Sequence, residues 1–169
     1  MRRLPLSQWV LRAGCCVAPL VAVLVSVPAG ATLPPRLFVG LVLVALLGAA
    51  YPESPSAILA PLVVIGWWAT RVEDQTHPLV LVAAAALLVG HACAVVAGLG
   101  PPSYDVERAT LLLWARRVAM LFPVSVLAWL VTRAAEGQSY LRVWVLAAAV
   151  AVGLLVVAIS ALADRQELE

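Results

Sequence analysis

Long apolar runs separated by short polar or breaker-rich stretches dominate the chain, and no Asp or Glu falls inside a run. The clearest run, Leu79 to Leu99, carries no ionised side chain over a length that would cross a hydrocarbon core of about 30 Å at about 1.5 Å per residue. The pattern predicts an all-α fold, a polytopic transmembrane helix bundle of about six apolar segments. The first segment runs from about Val10 to Val27 and stops at Pro28 and Gly30, with Pro19 as a kink point. The second, Leu37 to Ala50, and the third, Ser56 to Thr70, are short. They flank Pro52-Glu53-Ser54-Pro55-Ser56, where Ser54 is an expected N-cap and Pro55 an expected first helical residue.

Two short helices around such a turn fit either two thin, complete crossings or a re-entrant hairpin whose tip stays at membrane depth under protein or water. Glu53 in the turn favours complete crossings, and both readings return the chain to the same side. The fourth segment is Leu79 to Leu99, ended by Gly100-Pro101-Pro102. Ser103 or Asp105 can cap a long fifth helix from about Val106 to Ala134, of which Val118 to Thr132 would cross the bilayer. The sixth segment, Tyr140 to Leu162, precedes a polar tail.

Composition narrows the class further. Of 169 residues, 64% are hydrophobic and 12% charged, with a mean hydropathy of +1.03, where soluble domains carry roughly 25% charged residues. A soluble core is excluded, and the chain reads as a single integral membrane domain over residues 1–169. The net charge of +2 comes from eleven arginines and no lysine, without the basic cluster and interleaved aromatics that nucleic-acid binding needs. Cys15, Cys16 and Cys93 all lie in apolar runs and read as small hydrophobes, so no disulfide is expected. No Cys/His spacing suits a metal, and neither a metal nor a cofactor is expected.

The N-terminus also matches a cleavable signal peptide: Arg2, Arg3 and Arg12 precede Ala13 to Val27, and Ala29-Gly30-Ala31 has a small-x-small pattern. A retained anchor is favoured, because the rest of the chain is equally apolar and Trp9 with the arginines suits an interface. With six crossings and the N-terminus inside, Arg2, Arg3, Arg12, Arg108, Arg116, Arg117 and Arg165 lie on the cytoplasmic side, against Arg36, Arg71, Arg133 and Arg142 outside. That bias predicts a multi-pass protein of the cell membrane with both termini cytoplasmic.

Lipid offers no hydrophobic drive for helices to associate, so small residues should mark contacts. Gly90, Ala94 and Gly98 recur every fourth position on the fourth segment, and Gly40 with Gly48 form a similar pair on the second. These are expected packing stripes, for contacts within the chain or in a homo-oligomer. His91 is the one imidazole at membrane depth. It could serve a proton relay or a ligand, since ionisable groups in a bilayer are costly, but no intramembrane carboxylate accompanies it. A neutral histidine bonded to a neighbouring helix is the simpler reading. Arg116 and Arg117 could contact a lipid phosphate or an acidic partner, or simply mark the interface and snorkel. Glu73, Asp74 and His77 read as solvated loop charges, and the tryptophans as belts at headgroup level.

No G-x-S-x-G elbow, H-E-x-x-H helix or Gly-rich phosphate loop is present, so the chain is not expected to be an enzyme. Tyr51-Pro52-Glu53-Ser54-Pro55, the tryptophan-ended third segment, His91, and Gly100-Pro101-Pro102 ahead of Trp114-Ala115-Arg116-Arg117 resemble small actinobacterial membrane proteins found beside genes for MoxR-type AAA+ ATPases. The resemblance covers roughly residues 50 to 120 and implies an accessory membrane subunit of a MoxR-linked assembly, with no catalytic residues to carry over. The expected function is therefore a non-enzymatic accessory or scaffold subunit in the bilayer, with membrane-protein partners or further copies of itself. The alternative is a small secondary transporter or channel component acting as a homo-oligomer and centred on His91 and the two short helices.

Overall fold

In the computed structural model, residues 5–101 and 103–134 are described. They form five helices and no strand: α1 (Leu6–Leu24), α2 (Pro35–Ala50), α3 (Ser56–Arg71), α4 (Leu79–Gly98) and α5 (Arg108–Ala134). Three of them, α1, α4 and α5, are long and apolar enough to cross a membrane. Against an expectation of about six apolar segments, five are helices among the described residues and three of these have crossing length. The helices α2 and α3 have 16 residues each, about 24 Å of rise against a core of about 30 Å, and fall short by length. The expected sixth segment, Tyr140 to Leu162, lies outside the described residues. The backbone divides into two compact units at Val118 and Ala119, where composition suggests one domain.

Within the first unit, α1 packs most extensively on α4 and next on α2, which in turn packs on α3. The α1–α4 contact is made possible by small residues. A Cβ built on Gly90 would stand 2.5 Å from Ala18 Cβ, and one built on Gly14 would stand 2.8 Å from Cys93 Sγ. The Cys93 thiol can rotate away, but Ala18 Cβ cannot, so at Gly90 the two backbones approach as closely as glycine allows. Gly14, Ala18 and Ala22 form the matching stripe on α1, four residues apart. The second helix splits its glycines: a Cβ at Gly48 would fall 3.1 Å from Ala57 Cα, whereas Gly40 has nothing within 4 Å. Only Gly48, therefore, serves the α2–α3 hairpin.

Helix ends must satisfy their last carbonyls, and in an apolar environment water cannot do so. Here neighbouring helices supply the donors. At the end of α1 the Ser26 amide turns to Val23 O (3.1 Å), and the indole Nε1–H of Trp68 donates to Ala22 O (2.9 Å). The adjacent Trp67 donates to Ser26 Oγ (3.0 Å), whose hydroxyl donates on to Val23 O (2.6 Å). Both rings are buried, 6% and 7% exposed, and belong to the main apolar core with Val23, Leu41 and Val64. The pair expected at headgroup level is therefore covered by protein and not laid out on its surface. Their ring nitrogens find partners inside the protein, which frees the rings to be buried.

Arg12 does the same at the other end. The first helix starts at Leu6, earlier than Val10, which puts Arg12 in its second turn, and its Nη1 donates to Ala49 O (2.9 Å) and Ala50 O (2.7 Å) at the end of α2. Two further caps differ from expectation. Ser54 turns back to Tyr51 O (2.6 Å) and also bonds the Ser56 hydroxyl, so α3 starts without a side-chain cap. Asp105 accepts from Ser7 Oγ, which itself accepts from Val106 N, so that acid ties the approach to α5 to the start of α1.

These contacts fix levels. Arg12 and Ala50, together with Gly98, whose added Cβ would stand 3.4 Å from Glu53 Cγ, place the α2–α3 turn at the end of the unit where α1 starts and α4 finishes. Trp67 and Trp68 place the other end of α3 beside the end of α1.

One buried group has no such partner. Gln8 is 0% exposed, and neither its Oε1 nor its Nε2 makes a hydrogen bond among the described residues. A buried unsatisfied amide costs about 1–3 kcal/mol, so Gln8→Met, similar in volume and apolar, should stabilise the protein by about that amount. The check is thermal unfolding in detergent beside the parent chain. An unchanged or lowered Tm would show that Gln8 is satisfied in solution.

Candidate functional site

The residues singled out in the sequence do not gather into one site. His91 sits in the second half of α4 but is exposed, between the Gly90–Ala94 face that packs on α1 and the buried Ala92. Gly90 and Ala94 lie in the protein interior and Gly98 lies at the α2–α3 turn. Arg116 is exposed, and Arg117 holds its guanidinium 5.0 Å from the centroid of Trp114, a cation–π contact with the ring three residues earlier. Trp114 in turn lines an apolar groove of about 290 Å³ with Leu11, Val96, Leu111 and Cys93. The groove contains no titratable side chain except the Cys93 thiol. Among the described residues no three His, Cys, Asp or Glu side chains could together hold a metal ion.

A different place combines depth with polarity. At the end of α3 remote from Arg12, a cleft of about 630 Å³ lies between the last turn of α3, the loop that follows it, and the loop joining α1 to α2. Trp67, Thr70, Arg71, Glu73, Gln75 and Thr32 contribute its wall. Volumes of this order are those of ordinary small-molecule sites.

The local sequence explains why the cleft keeps its shape. In the α3–α4 loop, Val72 and Thr76 are buried, while Arg71, Glu73, Asp74 and Gln75 between and beside them are exposed. Buried residues pin the loop at both ends and force the intervening polar ones outward. Asp74 Oδ1 accepts from the Thr76 amide (3.0 Å) and hydroxyl (2.7 Å), closing an Asx-type turn. Gln75 Nε2 donates to Ala69 O (2.9 Å), which ties the loop to the end of α3. His77 Nδ1 accepts from Leu79 N (3.2 Å), so His77 caps the start of α4, and its neutral form carries the ring proton on Nε2. Across the cleft, Ala31 is buried and Thr32 exposed, and Gly30 has φ of 97°, a left-handed conformation that a side chain would strain.

Arg71 lies over Trp67, 6.0 Å from the ring centroid. It stands in the last turn of α3, where a cation complements the helix dipole. Glu73 lines the same cleft, yet neither residue makes an ion pair among the described residues.

No protein-family model, curated protein or solved structure matches the chain, so no relative contributes to the reading of these sites.

The cleft residues escaped sequence reading for a definite reason. Glu73, Asp74 and His77 are loop charges by pattern, and only the alternation over 71–73, with Thr76 buried beyond, shows that the loop is held. That alternation, Arg71 out, Val72 in, Glu73 out, is the signal a sequence reader could use. Thr32, thirty-nine positions before Arg71, carries no signal at all.

Proposed function

We propose that the chain is a non-enzymatic accessory or scaffold subunit of a multi-protein membrane assembly. It would lie in the cell membrane with six crossings and both termini on the cytoplasmic side. The observation that carries the proposal is the placement of His91. An imidazole at membrane depth is costly to leave against lipid, and His91 faces outward from α4 while the inward face is closed by the Gly90–Ala18 contact. A relay or permeation path through one copy would place that group inside. An outward imidazole suits a hydrogen bond to a helix of another protein.

The level of the α2–α3 turn, where α1 starts and α4 finishes and not halfway along them, favours complete though thin crossings for α2 and α3. Arg116 and Arg117 then fall near the cytoplasmic surface, where acidic partners or lipid phosphates can reach them. The sequence resemblance makes MoxR-linked assemblies the first partners to seek.

Purification in mild detergent, with identification of co-purifying proteins by mass spectrometry, tests this reading. Partners should be recovered with the parent chain and lost with His91→Leu or with Arg116→Ala/Arg117→Ala, while insertion remains normal. A lone homo-oligomer with an ion or solute flux that disappears in His91→Ala would overturn it in favour of a transporter or channel component.

A further inference from the structure

We propose that the cleft beside Trp67 binds a small zwitterion, its anionic group held by Arg71 and its cationic group by Glu73. Opposite charges that line one cleft only two residues apart in sequence would ordinarily pair with each other. Here they do not, and neither has another ionic partner among the described residues. The Arg71 guanidinium is drawn over the Trp67 ring, whereas Glu73 follows the buried Val72 in the pinned loop. A ligand with charges of both signs bridges such a pair and satisfies each.

The remaining wall fits the same ligand. Thr32 Oγ1 makes no hydrogen bond among the described residues and can donate or accept, and Thr70 Oγ1 donates to Gly66 O (2.7 Å) while its lone pairs stay available. The indole of Trp67 offers an apolar wall, fixed by its bond to Ser26. About 630 Å³ accommodates an amino acid, a dipeptide or a phosphoethanolamine headgroup. An anion alone would meet Glu73, and a cation alone would meet Arg71. Selectivity for a zwitterion over either ion is thus built into the wall.

The chemistry is common to two sources, a soluble zwitterion and the headgroup of an ethanolamine phospholipid. The probe is O-phosphoethanolamine, titrated by calorimetry into the full chain in detergent, with inorganic phosphate and ethylamine as single-charge controls. A second arm places the protein in nanodiscs of phosphatidylcholine with or without phosphatidylethanolamine and compares Tm. Saturable binding of the free probe, weakened about tenfold or more by Arg71→Gln and by Glu73→Gln, is expected if the ligand is soluble. Stabilisation by phosphatidylethanolamine alone, abolished by the same two variants, assigns the lipid. The proposal is overturned if neither arm responds, if either variant binds as the parent does, or if phosphate or ethylamine binds as well as the zwitterion. Because both residues are exposed, these variants should fold normally, and an unchanged circular dichroism spectrum verifies that.

Discussion

Gly90→Ala should lower stability by about 1–3 kcal/mol, although alanine is the better helix former by about 1 kcal/mol. The added methyl would stand 2.5 Å from Ala18 Cβ. Both carbons are attached directly to helix backbone, so no rotamer change relieves the clash. The helices α1 and α4 must instead move apart, and this is the most extensive helix contact among the described residues. In lipid that contact depends on van der Waals fit and not on exclusion of water, so a small separation is felt along its whole length. Gly66→Ala provides the contrast. Nothing lies within 4 Å of its added Cβ, and it should stabilise α3 by up to about 1 kcal/mol. Thermal unfolding of both variants in the same detergent measures the difference. Equal shifts in Tm, or a stabilised Gly90→Ala, would mean that α1 and α4 are not packed in this way.

Arg12→Leu should cost about 3 kcal/mol. It removes two charge-assisted bonds at once and leaves Ala49 O and Ala50 O, two of the last carbonyls of α2, without that donor. No side chain of α2 caps this end, and the next residue, Tyr51, bonds back only as far as Leu47 O. The α2–α3 turn should then fray. Amide exchange over 48–54 reports it directly, with faster exchange expected in Arg12→Leu than in Arg12→Lys, which keeps a donor and the charge but not the planar fork. Slow exchange in Arg12→Leu, with parent-like Tm, would show that the turn is held by other contacts. The same pair of variants separates capping from topology. If Arg12 mattered only as a cytoplasmic charge, lysine would be equivalent to arginine in both measurements.

Arg12 and the tryptophan pair show how far the pattern of the chain can be read. By sequence each sits at the edge of an apolar run, and edges normally mean interfaces. Position at an edge does not name their partners, because a helix end in an apolar setting has carbonyls to satisfy. A neighbouring helix can bring an arginine or an indole to them, and which neighbour does so is not written in local spacing. The glycines divide along the same line. Every-fourth spacing marks Gly90 and Ala94 and also Gly40 with Gly48, yet Gly40 meets nothing while Gly90 meets Ala18. Periodicity says which residues share a helix face and leaves open what that face touches. The complementary stripe of Gly14, Ala18 and Ala22 was equally legible by spacing, but Pro19 and the cysteines between its members obscured it.

What the sequence determined by itself is the class: apolar membrane helices, with breakers between them and no acid within the runs. These are consequences of solvation and of backbone rules, which act locally. Tertiary structure alone decided that α1 is the hub packed on α4 and α2, that His91 faces outward, and that Arg71 and Glu73 share a cleft with Thr32. Each depends on residues distant in sequence meeting at particular angles. Hydropathy records how much each segment prefers lipid, but in lipid the choice among neighbours is made by shape and by hydrogen-bond donors at helix ends.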